Sequence, residues 1–151
     1  MDVSIILLTY NSQDTISECL DNINLSILFS QLNFELIVID ANSTDNTINI
    51  IKKKILRCEL INIDHQNRSK SFNLGAEKAK GKYLCRVDSR ALIPNNYIRE
   101  CYSFLVNNKD YFNVGGKMLP KNRNLKIQVL YQNIISFGNA DFRKSNEDKD
   151  V

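Results

Sequence analysis

The chain has 151 residues, of which 43% are hydrophobic and 25% charged, and its formal net charge is +3. This length and composition are typical of one soluble globular domain and exclude an intrinsically disordered chain. Lysine and arginine are scattered along the sequence, so a nucleic-acid-binding surface is not indicated.

The cysteines, the histidine and the first residues of the chain further limit the class of protein and the kinds of site to be expected. Cys19, Cys58, Cys85 and Cys101 lie far apart within apolar patterns, so we expect buried free thiols in a reducing cytoplasm. The single His65 disfavours a histidine-based metal site or a Ser–His–Asp triad. No apolar run is long enough to span a membrane, and no signal peptide is evident.

Strands alternate with helices in the first two thirds of the chain. Strands are predicted over residues 3–10, 34–40, 58–64 and 82–88, because each is a short apolar run rich in β-branched residues. Near-continuous apolar runs of this kind are typical of parallel strands that are covered on both faces.

Four helices are predicted between and after these strands, since apolar residues recur there every three or four positions. Asn11–Ser12 and Ser43–Thr44 supply the N-cap chemistry for the first two helices. The third helix is expected to end at Gly81 and the fourth to begin at Pro94. The alternation predicts an α/β fold, with a mostly parallel sheet and helices on both faces.

The pattern is weaker after Val106. Val114–Met118 is predicted to be a short strand and Leu125–Phe137 a helix, and residues 138–151 form a polar, charged tail.

Carboxylates close three of the predicted strands, at Asp40, Asp64 and Asp88. In a parallel sheet all three would lie at the carboxyl-end edge, where such sheets bind ligands. Carboxylates suit hydroxyl groups, a nucleobase edge or a divalent cation, although each could instead cap a helix. Neither a dinucleotide-binding fingerprint nor a P-loop occurs, which argues against those two classes.

Short motifs in a fixed order carry a family resemblance over almost the whole chain. They are Ile5–Asn11, Val38–Thr47, Asn73–Gly75 with Ala79–Gly81, Arg86–Asp88, Val114–Met118 and Phe137–Arg143. Together they resemble the family 2 glycosyltransferases, and within them the succinoglycan-type enzymes of exopolysaccharide synthesis. The resemblance implies a GT-A fold, which is a Rossmann-like, mostly parallel sheet with helices on both faces.

The resemblance also implies an activity. Such an enzyme transfers a sugar, with inversion, from a nucleotide-diphosphate sugar to a growing surface or extracellular polysaccharide or glycolipid. Its partners would be the nucleotide-sugar donor and a polysaccharide or lipid-linked glycan acceptor, without nucleic acid. The expected location is the cytoplasm, with peripheral association at the inner face of the membrane left open.

The nucleoside end of the implied donor site follows the first two strands. Thr9, Tyr10 and Asn11 would line the nucleoside pocket, and Tyr10 would pack on the base or the ribose. Asp40 would accept hydrogen bonds from the nucleoside. Ala41 stands where many relatives carry a second aspartate, so the identity of the base is open.

The diphosphate end of the implied site involves the third helix and the fourth strand. Arg68 and Asn73 would approach the donor, where a guanidinium group could meet phosphate. Asp88 matches the first carboxylate of the family's Asp-x-Asp motif, which holds the ribose and a divalent cation, Mn²⁺ or Mg²⁺. Arg90 stands where relatives place a second metal ligand. Either the cation rests on Asp88 and the phosphates alone, or Arg90 itself neutralises the diphosphate.

No catalytic base is assigned. Relatives supply it from a later segment, and the carboxylates of the tail, Glu147, Asp148 and Asp150, do not resemble that motif. We expect one glycosyltransferase domain over residues 1–151, with a donor-binding core at 1–110 and an incomplete acceptor-side region at 111–151. The alternatives are a truncated donor-binding module without turnover and, less favoured, a pyrophosphorylase-like nucleotidyltransferase, whose glycine-rich loop is missing.

Overall fold

The computed structural model describes residues 1–55 and 57–116. Their strands are β1 (Val3–Thr9), β2 (Phe34–Asp40), β3 (Glu59–Asn62) and β4 (Tyr83–Asp88). Their helices are α1 (Ile16–Ser30), α2 (Thr47–Lys54), α3 (Arg68–Lys78) and α4 (Tyr97–Asn107). The predicted alternation of strand and helix is confirmed.

The strands form one parallel sheet in the order β3-β2-β1-β4. Register places Thr9 beside Asp40 on one side of β1, and Leu8 beside Asp88 on the other. The carboxyl ends of β1, β2 and β4 therefore meet at one edge, as predicted for a parallel α/β sheet.

The core is centred on β1, in which all seven residues are buried. Ile6 and Leu8 face α3, whose Phe72 and Ala76 pack against them. The opposite face carries Ile5 and Leu7, which are also buried. Since a fully buried aliphatic side chain contributes about 1.5–3 kcal/mol, this strand anchors the fold and fixes the position of its carboxyl end.

The helix boundaries differ from the sequence-based predictions. Helix α1 begins at Ile16 and α2 at Thr47, so the caps predicted at Asn11–Ser12 and Ser43–Thr44 are wrong. The reason is that those hydroxyl groups bind other partners: Ser43 Oγ donates to Asp40 Oδ1 at 2.6 Å, and Ser12 Oγ donates to the Tyr10 carbonyl at 3.0 Å.

The predicted ends around Gly81 and Pro94 are also wrong. Helix α3 ends at Lys78 and the chain is extended at Ala79, while Gly81 lies against Ser4 of β1. Helix α4 begins at Tyr97, whose N–H donates to the Pro94 carbonyl at 3.0 Å.

The predicted third strand is shorter than expected, because β3 ends at Asn62 and Asp64 follows in the loop. The four cysteines take part in no disulfide among the described residues, and Cys19 is buried as predicted, whereas Cys58, Cys85 and Cys101 are partly exposed. No helix in the described part of the chain is long and apolar enough to cross a membrane.

The chain separates into two compact units, Met1–Arg99 and Glu100–Val151. In the second unit, Phe104 and Tyr111 make an edge-to-face ring contact with centroids 5.2 Å apart. No strand occurs over 114–116, and the rest of the predicted strand lies outside the described residues. The predicted helix Leu125–Phe137, the Phe137–Arg143 motif and the tail carboxylates Glu147, Asp148 and Asp150 also lie outside them. The predicted division of one domain at residue 110 stays a prediction.

Candidate functional site

A cleft of about 450 Å³ opens at the carboxyl ends of β1 and β4. Its lining residues come from β1, β2, β4 and α3 and from the loops that follow the strands: Leu8, Thr9, Tyr10, Ser12, Ile39, Ala41, Gln66, Arg68, Ser71, Asp88, Ser89 and Arg90. The cleft therefore brings together five of the predicted donor-site residues, which are Thr9, Tyr10, Arg68, Asp88 and Arg90.

The loops after β1 and β2 are tied to each other. The Asn11 N–H donates to Ser43 Oγ at 2.9 Å, and the Thr44 N–H donates to Asn11 Oδ1 at 2.9 Å. Asn11 and Asn42 take left-handed backbone conformations, with φ of 41° and 59°, which asparagine tolerates better than most residues. Asn11 holds the two loops together and does not line the cleft.

Asp40 is used inside the same loop system. Its side chain is buried, and its two oxygens accept from the Ser43 N–H at 2.7 Å and the Ser43 hydroxyl at 2.6 Å. This is an Asx-type turn, in which the aspartate shapes the backbone that follows it. The structure does not bring Asp40 into the cleft, so its predicted contact with a nucleoside stays a prediction.

Thr9 and Tyr10 differ in exposure. Thr9 is only 5% exposed, and its hydroxyl has no hydrogen-bond partner among the described residues. A buried hydroxyl without a partner costs about 1–3 kcal/mol, and such groups are concentrated where a ligand or water completes the bonding. Tyr10 is exposed and also lines the cleft.

A buried pair of serines closes the floor of the cleft. Ser12 Oγ and Ser89 Oγ lie 2.6 Å apart and link the loop after β1 to the end of β4. The Ser12 N–H also donates to Thr47 Oγ1, at the start of α2, at 2.7 Å. Sequence reasoning missed both serines, since 77 positions separate them and only the pairing of β1 with β4 makes them neighbours.

Asp88 at the end of β4 is paired with Arg86 of the same strand. The Arg86 Nε lies 3.1 Å from Asp88 Oδ1, and the second guanidinium nitrogen lies 3.4 Å from Oδ2. Each side chain is about 40% exposed (42% and 41%), so the pair contributes at most about 1 kcal/mol to stability. Sequence reasoning missed Arg86, although residues two apart on a strand share a face.

Two further guanidinium groups line the cleft. Arg68 is the first residue of α3, whose N-cap Asn67 accepts the Lys70 N–H at 3.0 Å. Arg90 follows β4 and is exposed. Neither makes an ion pair among the described residues. Asn73 is exposed on α3 and does not line the cleft.

The residues of the cleft fit a protein-held divalent cation poorly. Mg²⁺ and Mn²⁺ take several oxygen ligands, and no group of three or more histidine, cysteine, aspartate or glutamate side chains is assembled within residues 1–55 and 57–116. Among the described residues that line the cleft, Asp88 alone carries a carboxylate, and Arg86 pairs with it.

Cys19 of α1 lies beneath the same strand end, with its thiol 3.8 Å from the Asp88 carbonyl oxygen. Burial, with a further contribution from the Asp88 charge, raises the pKa of the Cys19 thiol to about 12. The thiol is therefore protonated and unreactive at neutral pH.

Comparison with known proteins places this geometry in context. The model of the family described as "Glycosyl transferase family 2" matches residues 4–150. Over 132 residues the chain is 30% identical to the poly(ribitol-phosphate) beta-glucosyltransferase of Bacillus spizizenii, which covers 80% of this chain and 21% of that relative.

Solved structures share the fold. The TarS 1-349 structure from Staphylococcus aureus, in complex with UDP-GlcNAc, superposes with a TM-score of 0.62 at 25% identity, covering 80% of this chain and 37% of that one. The mannosyltransferase PcManGT from Pyrobaculum calidifontis, in complex with GDP-Man and Mn²⁺, gives 0.60 at 25% identity, with coverages of 85% and 38%. The chain spans less than half the length of each of these three proteins.

Proposed function

The chain belongs to glycosyl transferase family 2, and on that premise we propose that its cleft binds a nucleoside-diphosphate sugar whose sugar is transferred to an acceptor hydroxyl. The observation that carries the proposal is the juxtaposition, in one cleft, of the buried Thr9 hydroxyl, which has no partner among the described residues, with the guanidinium groups of Arg68 and Arg90. A hydroxyl suits a nucleoside edge, and guanidinium groups suit phosphate.

The two ends of the cleft have separate tasks in this proposal. Thr9 and the Tyr10 ring receive the nucleoside, and Asn11 with Asp40 supports them by holding the loops that follow β1 and β2. Arg68 and Arg90 receive the diphosphate, with Asn73 on the outer side of the same helix as Arg68. The identity of the donor's nucleobase is left open, because one structural relative, TarS, binds UDP-GlcNAc and another, PcManGT, binds GDP-Man.

The proposed reaction is an in-line displacement with inversion. The acceptor oxygen forms a bond to the anomeric carbon while the bond from that carbon to the diphosphate oxygen breaks, and the acceptor proton passes to a base. Negative charge develops on the departing diphosphate, and the two guanidinium groups are placed to stabilise it. We assign the base to none of the described residues.

The acceptor is proposed from the chemistry of the relatives. The Bacillus spizizenii relative acts, by its name, on poly(ribitol-phosphate), so we propose a polysaccharide or a lipid-linked glycan of the cell envelope as acceptor. The closer assignment to succinoglycan-type transferases, a cytoplasmic location and attachment at the inner face of the membrane belong to the same proposal.

A second candidate is a donor-binding module without turnover. The observation that favours it is that, among the described residues that line the cleft, the single carboxylate is that of Asp88, and Arg86 already pairs with it. A radiolabelled-donor assay with membrane fractions as acceptor separates the two: transfer of label supports the enzyme, and binding without transfer supports the module.

Calorimetry with UDP, GDP, ADP and dTDP tests the donor site itself. We expect one of them to bind with a Kd below about 1 mM, or about 4 kcal/mol, and Arg68→Gln to weaken that binding at least about tenfold. Arg57→Gln is the matched control, since Arg57 is exposed and lies outside the cleft. Absence of binding by all four nucleotides would contradict the proposed function.

A further inference from the structure

We infer that this chain binds the diphosphate of its donor without a divalent cation, with Arg90 and Arg68 supplying the positive charge and Arg86 keeping Asp88 occupied. The inference rests on the proposed donor site and specifies how that site meets negative charge. It decides between the two alternatives that the sequence left open for Asp88 and Arg90.

The carboxylate of Asp88 is already paired with a neighbouring side chain. Both of its carboxylate oxygens face nitrogen atoms of Arg86, at 3.1 and 3.4 Å. Arg86 is itself held from the side of α3, because its guanidinium carbon lies 6.0 Å from the centre of the Phe72 ring. A cation that bound Asp88 would compete with the Arg86 guanidinium group for the same two carboxylate oxygens.

The charged side chains of the cleft are mostly cationic. Arg68, Arg90 and Asp88 line it, and Arg86, outside the lining, pairs with Asp88. Among the described residues, these three guanidinium groups outnumber the carboxylates of Asp88 and of the buried Asp40, whose neighbours Ile39 and Ala41 line the cleft. The net charge is therefore positive, which attracts a diphosphate and repels a divalent cation.

The side chain of Arg90 suits phosphate and cannot bind a metal ion. An arginine has no lone pair and remains protonated, so Arg90 cannot serve as a metal ligand. Its planar guanidinium does match two phosphate oxygens at once. Arg90 and Arg68 lie on the lining of the same cleft, so one diphosphate has two cationic groups to meet there.

Calorimetry of the 151-residue chain with UDP and with inorganic pyrophosphate, in EDTA and in MnCl₂, tests the inference. We expect the Kd for each probe to change by less than about tenfold, or about 1.4 kcal/mol, between the two buffers. Tightening by Mn²⁺ beyond that factor would overturn the inference. Should UDP not bind, the nucleoside diphosphate found by the screen above replaces it.

Substitutions at Arg90 and Arg86 sharpen the test. Arg90→Asp replaces the repelling charge with an oxygen ligand, so binding in EDTA should weaken at least about tenfold and Mn²⁺ should restore it. Arg86→Gln leaves Asp88 unpaired and should create a Mn²⁺ response. Arg86→Lys retains the pairing charge and should remain insensitive to Mn²⁺.

A control variant and three contradicting results complete the test. Arg57→Gln should leave both the Kd and the Mn²⁺ response unchanged, because Arg57 lies outside the cleft. Binding that occurs only with Mn²⁺ would overturn this inference and leave the proposed function intact. Absence of binding in both buffers would contradict both this inference and the proposed function. An Arg86→Gln variant without a Mn²⁺ response would contradict the proposed role of Arg86 in keeping Asp88 from binding a cation.

Discussion

The two edges of the one parallel sheet use polar groups in opposite ways. At the amino-end edge, Ser4 Oγ donates to Glu35 Oε1 at 2.6 Å and accepts from the Gly81 N–H at 2.8 Å, and Glu35 also accepts from the Lys80 N–H at 2.6 Å. At the carboxyl-end edge, the Thr9 hydroxyl has no partner among the described residues, and Arg68 lines an open cleft.

The difference separates stability from binding within a single core. Groups at the amino-end edge bind one another and hold β1, β2 and the turn before β4 together. The loops at the carboxyl-end edge are also tied to each other, through Asn11, Ser43 and Asp40. Thr9 and Arg68, which take no part in those bonds, line the cleft. Substitutions at the first edge should therefore change folding, and those at the second should change ligand affinity.

The largest effect is expected at Gly81. An added Cβ would meet the backbone nitrogen of Ser4 and lie 2.6 Å from the Val3 carbonyl carbon. Backbone atoms of a central strand cannot move away cheaply, so Gly81→Ala should lower the free energy of unfolding by about 2–3 kcal/mol. Urea unfolding followed by circular dichroism measures the loss.

Gly115→Ala is the control for that prediction, because no atom of residues 1–55 and 57–116 lies within 4 Å of the added Cβ. Its effect should stay within about 0.5 kcal/mol. Equal losses in the two variants would show that the contact with β1 is not the cause.

A smaller, pH-dependent effect is expected at Glu35. Partial burial raises the pKa of its carboxyl, but hydrogen bonds from Ser4 and from the Lys80 and Gly81 backbone outweigh this and hold it below the ordinary 4.5. Since the group is largely solvated, Glu35→Gln should cost only about 1 kcal/mol at neutral pH.

The pH profile distinguishes the charge from the shape of this side chain. Because the folded pKa lies below the unfolded one, the stabilisation is present above pH 4.5 and is lost as the pH falls through the lower folded value. The difference between parent and Glu35→Gln should therefore shrink in acid. A difference that persists there would refute the charge-based account, and Glu59→Gln, exposed in β3, should show no such difference.

The smallest effect, with the opposite sign, is expected at Thr9. Thr9→Val removes a buried hydroxyl that has no partner among the described residues, so the unliganded chain should be unchanged or more stable by up to about 1 kcal/mol. Nucleotide binding should weaken severalfold, because the hydroxyl is then missing from the cleft. Ser12→Ala is the contrast: its hydroxyl is bonded to Ser89 and to the Tyr10 carbonyl, so stability should fall.

A Thr9→Val variant that lost stability would show that water or residues outside 1–55 and 57–116 satisfy the hydroxyl. The contrast between the two edges would then be weaker than the structure indicates. Thermal unfolding and calorimetry on the same preparations provide both readings.

The sequence by itself determined the fold class and which strand ends meet at one edge of the sheet. Strands covered on both faces must be apolar throughout, so runs such as Ile5–Leu8 and Leu36–Ile39 can be recognised as buried parallel strands from the sequence. Parallel strands end at one edge, so Thr9, Asp88 and Arg90 could be placed together before any coordinates were known. The Arg86–Asp88 pair was also within reach, since residues two apart on a strand share a face.

Tertiary structure alone decided which polar groups stay available in the cleft. Serine, threonine and aspartate can each cap a helix, shape a turn or bind a ligand, and local sequence does not rank those choices. Ser43 donates to the Asp40 carboxylate, and the pairing of β1 with β4 brings Ser12 to Ser89. These outcomes depend on contacts between residues far apart in the chain, which exist only once the sheet has formed.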